Sequence, residues 1–184
     1  MNKFKNIAAL LASVFVIAIV GCDKEPPPEK TSFQNKESVV TAKAFQPALP
    51  VGLANLIVSD AKVTGLCYLD SINASPASDA PTTVKSGATL SLAGWAVYDA
   101  KLAQLGSAFA VMLLSKQNSF YLTADSYNRK GLGVALGNEK LDDAGLVSEG
   151  ILVDVPAGLY RVLFLTQSGN NLLRCDTGRT LNIE

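Results

Sequence analysis

From residue 57 onward the apolar side chains fall in short runs, most of them alternating with polar positions, and clusters of turn-forming residues separate the runs. A period of two is the signature of strands with one buried face, and spacing of this kind predicts an antiparallel all-β domain. Eight strands are expected, over 65–72, 89–98, 108–114, 119–124, 146–153, 159–166, 171–175 and 180–183. Lys85-Ser86-Gly87, Lys116-Gln117-Asn118 and Ser168-Gly169-Asn170 supply turns, since Gly and Asn tolerate positive φ. Helical periodicity is confined to one turn, Leu132, Val134, Ala135 and Leu136, closed by Gly137-Asn138. Residues 108–114 are apolar on both faces, so this strand must be central, with the second layer on one side and another cover on the other; 131–145 is the expected cover. The pattern implies a two-layered antiparallel sandwich with a short helical turn.

The N-terminal pattern differs. Lys3 and Lys5 precede an apolar run over 7–20, which reads residues 1–21 as a secretory signal. The run falls short of the about 20 residues that a spanning helix needs. Ile19-Val20-Gly21-Cys22 resembles the lipobox of bacterial lipoproteins, and the resemblance implies cleavage before Cys22 and a diacylglyceryl thioether on its sulfur. Two acyl chains, at about 0.8 kcal/mol per buried methylene, anchor a protein durably. Asp23 resembles the residue that keeps enteric lipoproteins in the inner membrane, so a periplasm-facing, lipid-anchored location is expected, inner membrane favoured over outer. Pro26-Pro27-Pro28 makes the following stretch an extended spacer. Residues 39–56, with Pro47 and Pro50, read as a lead-in that packs along the domain. The division is therefore 1–21 signal, 22–56 acylated cysteine, linker and lead-in, and 57–184 β domain.

Composition removes whole classes of chemistry. With 48% hydrophobic and 17% charged residues the chain of 184 can bury a core. Its 16 basic and 16 acidic side chains cancel, and loss of Lys3 and Lys5 would leave 14 basic, so no basic face for nucleic acid is expected. There is no histidine, which excludes Ser-His-Asp and Cys-His nucleophiles and imidazole zinc sites. No metal or cofactor is expected. With Cys22 assigned to lipid, Cys67 and Cys175 are left, and an exported protein with two remaining cysteines is expected to pair them.

Asp154-Val155-Pro156-Ala157-Gly158-Leu159-Tyr160 looks like the corner before strand F of immunoglobulin-like and fibronectin-like sandwiches, where the tyrosine hydroxyl satisfies upstream backbone. Trp95 in Gly94-Trp95-Ala96 is then expected as a buried indole. The order of Leu69-Asp70-Ser71-Ile72-Asn73, Gly94-Trp95-Ala96, the stretch 128–138 and Pro156-Ala157-Gly158-Leu159-Tyr160 resembles an Ig-like envelope domain. That domain is appended to bacterial membrane glycosyltransferases of the dolichyl-phosphate-mannose class and also occurs in stand-alone exported proteins. The resemblance covers 65–184 and implies a glycan-related or transferase-related partner, without transferase activity of its own.

Little in the sequence carries catalysis. Ser59-Asp60-Ala61-Lys62 matches S-x-x-K but lacks the companion motifs of that enzyme class. Asp142-Asp143 are adjacent, which suits a turn or cap better than a facing pair. The Gly131-Leu132-Gly133 stretch lacks the G-K-[ST] of a phosphate loop, and Asn73-Ala74-Ser75 is a bare sequon. Aromatic residues offer a ligand surface: Tyr68, Tyr98, Tyr121 and Tyr127 can stack on sugars if they face outward. Arg161, between inward positions of its strand, is expected on the solvent face, with Arg174 and Arg179 as possible neighbours. The expected binding surface is Tyr98, Tyr121, Tyr127 and Arg161. A non-enzymatic binding module for envelope glycan or a protein partner is the leading reading. The alternatives are a carboxylate-based hydrolase or transferase using Asp99, Asp125 or Asp142, and a purely structural subunit.

Overall fold

A computed structural model describes residues 43–56, 58, 61–63 and 65–184. The signal segment, Cys22 and its spacer, and Ser59 and Asp60 of the S-x-x-K match, lie outside the described residues. The described chain is all-β. Its strands are β1 (Lys62–Val63), β2 (Leu66–Ile72), β3 (Ser75–Pro76), β4 (Thr82–Val84), β5 (Thr89–Val97), β6 (Ala108–Leu114), β7 (Ser119–Tyr127), β8 (Gly145–Ile151), β9 (Gly158–Ser168) and β10 (Asn171–Ile183). One short helix, α1 (Leu132–Leu136), and a 3-10 segment (Glu139–Ala144) lie between β7 and β8. Gly137 caps α1 at φ 77°, a left-handed conformation that glycine adopts without cost.

The hydrogen-bonded order is β1-β10-β9-β6-β7-β8-β5-β2-β3, with β4 parallel to the end of β10. Strand β7 is the hinge of this path: residues 119–124 pair with β6, while Asp125, Ser126 and Tyr127 pair with β8. The path thus has two halves, and their inner faces share one apolar cluster. Leu69, Leu90, Leu92 and Leu146 come from one half and Val111, Leu113, Phe120, Val162, Phe164 and Leu181 from the other. At about 25 cal/mol per Å² of apolar surface removed from water, this cluster is the main term holding the halves together. The bridge between Cys67 of β2 and Cys175 of β10 joins them covalently across a sequence separation of 108. The pairing inferred from cysteine count is therefore present.

Both outer faces are covered in part, by different segments. Apolar residues of β6 alternate between Val111 and Leu113 in the main cluster and Ala110 and Met112 in a second one. The second cluster is closed by Leu53, Ala61 and the half-buried Leu49, Leu56 and Val58, so the lead-in covers β6. This corrects the expectation that 131–145 does so. The lead-in is also stitched on as backbone, with Gln46 and Tyr121 exchanging hydrogen bonds at 2.9 and 2.7 Å and Phe45 donating to Ile151 at 3.2 Å. The described residues of the lead-in, 43–56, belong to the same compact unit as the strands. Segment 131–145 instead packs on the outer face of β5: Leu132, Leu141 and Ala144 bury Val97 and lie against Trp95.

Strands 171–175 and 180–183, expected as two, are one element. The register with β9 merely shifts between Asp176 and Arg179, and Gly178 takes φ 71° within a bulge. The Thr177 hydroxyl donates to the Val162 carbonyl at 2.7 Å and holds the bulge inside the ladder. Trp95 also departs from expectation. It is half-buried on the outer face, while its neighbour Gly94 faces the core, where a Cβ would collide with the Tyr68 carbonyl oxygen and stand 3.0 Å from the Phe164 ring. Glycine is required there because the β2 backbone at Tyr68 leaves no room for a Cβ, and the Phe164 ring fills the space beside it. The Tyr160 hydroxyl donates to the Pro156 carbonyl at 2.9 Å, the anchoring bond expected of that motif. Burial pushes that hydroxyl above its ordinary pKa.

Candidate functional site

The residues expected to form one binding surface do not meet. Tyr121 is buried beneath the lead-in, its hydroxyl donating to the Ser119 hydroxyl at 2.9 Å, because β7 turns this side chain toward the second cluster. It offers no ring to solvent. Arg161 is exposed and paired with Asp176, opposite Leu114 at the end of β6. There it lines a cleft of about 770 Å³ with the 115–118 turn and residues 156–160. Tyr127 lies at the other end of the molecule, since β7 runs antiparallel to β6 and reaches Ala124 opposite Phe109. Tyr98 is half-buried just beyond β5 and lines a shallow dent of about 440 Å³ with Gly65, Leu66 and Asp99. Arg174 is half-buried, and Arg179 is not on the solvent face with Arg161: its side chain is only 11% exposed.

The carboxylates named for an enzymatic reading each have a local duty. Asp99 accepts from the backbone N–H groups of Lys101 and Leu102 at 2.9 and 3.0 Å. Asp125 pairs with Lys43 at 3.3 Å on the surface. Asp142 accepts from the Gly133 N–H at 2.6 Å and Asp143 from the Asn128 amide at 2.9 Å, so the adjacent pair ties the 128–144 segment together. Asp99, Asp125 and the Asp142-Asp143 pair stand on different segments and turn toward different partners.

A different set of residues is assembled by strand register. Tyr68 of β2 lies opposite Trp95 of β5, Trp95 opposite Gly145 of β8, and Gly145 opposite Tyr127 of β7. Directly paired residues of an antiparallel sheet project from the same face. The row therefore carries three aromatic side chains across four strands, on the outer face. Tyr68 is 41% and Tyr127 37% exposed, with Trp95 half-buried between them. Gly145 is part of the device: a Cβ here would sit 2.6 Å from the Tyr127 carbonyl oxygen and 2.9 Å from Cε1 and Cζ of its ring, so the absence of a side chain makes room for that ring beside β8.

Polar groups frame the row. Arg129 follows β7 and reaches back over the face to Asp70 on β2, donating from Nε to Oδ2 at 2.9 Å and from Nη2 to Oδ1 at 3.0 Å. Asp70 is the extra residue of a bulge, unmatched between Leu69 opposite Gly94 and Ser71 opposite Ala93. The bulge aims its carboxylate out of the sheet. The hydrogen bonds to Asp70 hold the Arg129 guanidinium above its already high ordinary pKa, with burial opposing them. Both partners keep about a third of their surface open, at 33% for Arg129 and 28% for Asp70. At the β2 end, Arg179 of β10 places its guanidinium 5.1 Å from the centroid of the Tyr68 ring and donates to the Tyr68 hydroxyl at 2.9 Å. Its other partner is Asp79, whose side chain is 97% exposed.

This face joins pieces that stand apart in sequence. Asp70 belongs to Leu69-Asp70-Ser71-Ile72-Asn73, Trp95 to Gly94-Trp95-Ala96 and Arg129 to the stretch after β7. Sequence reasoning named Tyr68 and Tyr127 as aromatic candidates but missed Trp95, Asp70, Arg129 and Arg179 as their company. The signal lay in the registers of β2, β5 and β8, which no single strand reveals. Among the described residues no group of three or more acidic or cysteine side chains converges as a cation site. No family model matches the chain, and no curated protein or solved structure shows significant similarity to it.

Proposed function

We propose that the protein is a non-enzymatic binding module of the bacterial cell envelope, fixed to a membrane by lipid on Cys22 and recognising envelope glycan on its outer aromatic face. The observation that carries the reading is the row of Tyr68, Trp95 and Tyr127 in cross-strand register beside the Asp70–Arg129 pair. Sugar rings present apolar C–H faces rimmed by hydroxyls. Partly exposed aromatic rings match the faces, and a carboxylate and guanidinium held flat by one another match paired hydroxyls. The half-open state of all five side chains suits this use better than a role in the core.

Several features favour an immunoglobulin-like sandwich as the scaffold. Strand β7 passes from one half to the other, the halves share a core, and the Tyr160 hydroxyl anchors the corner before β9. The disulfide accords with an oxidising compartment such as the periplasm. The likeness of 65–184 to domains appended to dolichyl-phosphate-mannose-type transferases gives the natural partnership, a membrane glycosyltransferase and its glycan product. Asp23 favours the inner membrane.

The test is titration of the oxidised protein with envelope polysaccharide and oligosaccharide fractions. Trp95 is the only tryptophan, so its emission reports on the face directly. Saturable quenching is expected, with affinity falling about tenfold in Tyr127→Ala, as for an anchor residue at an interface. Glycan binding that Tyr127→Ala leaves unchanged, or saturable binding of a protein in place of any glycan fraction, would remove the glycan reading.

A further inference from the structure

We infer that the Tyr68–Arg179 end of the aromatic face is an anion subsite, and that the glycan it serves carries carboxylates, as uronic acid residues do. The inference rests on the glycan reading of the same face and goes beyond it in naming the ligand class. Arg179 faces the edge between the two halves: it lies opposite Val162, a residue of the main cluster, and is 11% exposed. A cation so placed requires a counter-charge, since burial of an unpaired guanidinium is costly. The counter-charge available is Asp79, and this is the unusual feature. Asp79 sits in the irregular stretch between β3 and β4 and is 97% exposed, so solvent screens it and little else fixes it.

Arg179 is fixed by contrast on its other side. Its Nη2 donates to the Tyr68 hydroxyl at 2.9 Å and its Cζ stands 5.1 Å from the centroid of the Tyr68 ring, while Nε is buried without an acceptor among the described residues. A guanidinium held against an aromatic residue of the row thus faces a carboxylate on an exposed loop. Asp79 occupies the position of a ligand group: one of its carboxylate oxygens accepts from Arg179 Nη1, a charge-assisted bond that a ligand carboxylate can reproduce. A uronate on a glycan lying along Trp95 and Tyr68 would bring the same group to the same donor, exchanging one carboxylate for another. The exchange involves no net burial of charge, so the cost of desolvating Arg179 has been met in the free protein.

The experiment compares a polyuronate oligosaccharide with a neutral glucan of equal length against the full oxidised protein, followed by Trp95 emission and calorimetry. The uronate is expected to bind more tightly. Asp79→Asn, which removes the competing charge and keeps the shape, is expected to strengthen uronate binding about tenfold, the scale of a charge-assisted hydrogen bond, and to leave the glucan unaffected. Arg179→Lys is expected to abolish the preference while circular dichroism stays unchanged. Equal affinity for the two glycans, or Asp79→Asn weakening the uronate, would overturn the anion subsite and leave the aromatic face as a neutral-sugar site. Binding of neither glycan by the folded protein would overturn both readings.

Discussion

Loss of the Cys67–Cys175 bridge is expected to be the costliest conservative change in the protein, and its size follows from topology. In the chain-entropy account, closing a loop of 108 residues removes about 16 cal/mol/K from the unfolded ensemble, or about 4.8 kcal/mol at 25 °C. Domains of this size have about 5–15 kcal/mol in total, so the bridge accounts for a third or more. The position adds a local effect. β3 pairs only with Ser71 and Ile72, leaving the first half of β2 hydrogen-bonded on one side among the described residues, and the bridge holds that half to β10. The variant Cys67→Ser/Cys175→Ser, compared with the oxidised protein by urea unfolding, should show its midpoint lowered by about 2 M at an ordinary slope of about 2 kcal/mol per M. The same loss should follow reduction of the native protein. A midpoint shift below about 0.5 M would refute the reasoning, because it would mean that the unfolded chain is not restrained by the bridge.

Two further outcomes follow from named contacts. Tyr160→Phe, which deletes the bond to the Pro156 carbonyl, should cost about 1 kcal/mol at pH 8 by urea unfolding. Burial raises the Tyr160 pKa in the folded state, so the folded chain keeps a proton that the unfolded chain releases from about pH 10. The hydroxyl's contribution is intact below that pH and is lost as pH climbs through the folded value; a native-minus-variant difference that does not shrink between pH 8 and 10.5 would contradict this. Arg129→Ala and Asp70→Ala should each loosen the 128–144 segment over Trp95 and shift its emission to the red. Their double-mutant cycle should show coupling of about 1 kcal/mol, and strictly additive costs would break the link between clasp and cover.

What the sequence alone determined is the material of the strands. Alternation and turn residues marked the seven strands β2 and β5 to β10, because a half-buried strand writes its burial into every second letter, and 108–114 coincides with β6. The left-handed cap at Gly137 and the Tyr160 corner were also legible, being short motifs whose partners lie a few residues away. The pairing of Cys67 with Cys175 followed from counting. The segments β1, β3 and β4 left no such mark, since two or three residues at a sheet edge carry no period.

Everything that depended on which strand lies beside which was decided by the tertiary structure. The sequence could show that β6 is apolar on both faces, yet either the lead-in or 131–145 could have covered it; packing gave Leu49, Leu53 and Leu56 of the lead-in to β6 and the second segment to Trp95 and Val97. Asp176-Thr177-Gly178 could be a turn or a bulge until the ladder to β9 ran past it. Tyr121 and Tyr127 are six positions apart on one strand and share its outward side, but one lies under the lead-in and the other stands open. The aromatic face exists only because three registers align Tyr68, Trp95, Gly145 and Tyr127, and a register is a property of two strands, set by the core on which both fold.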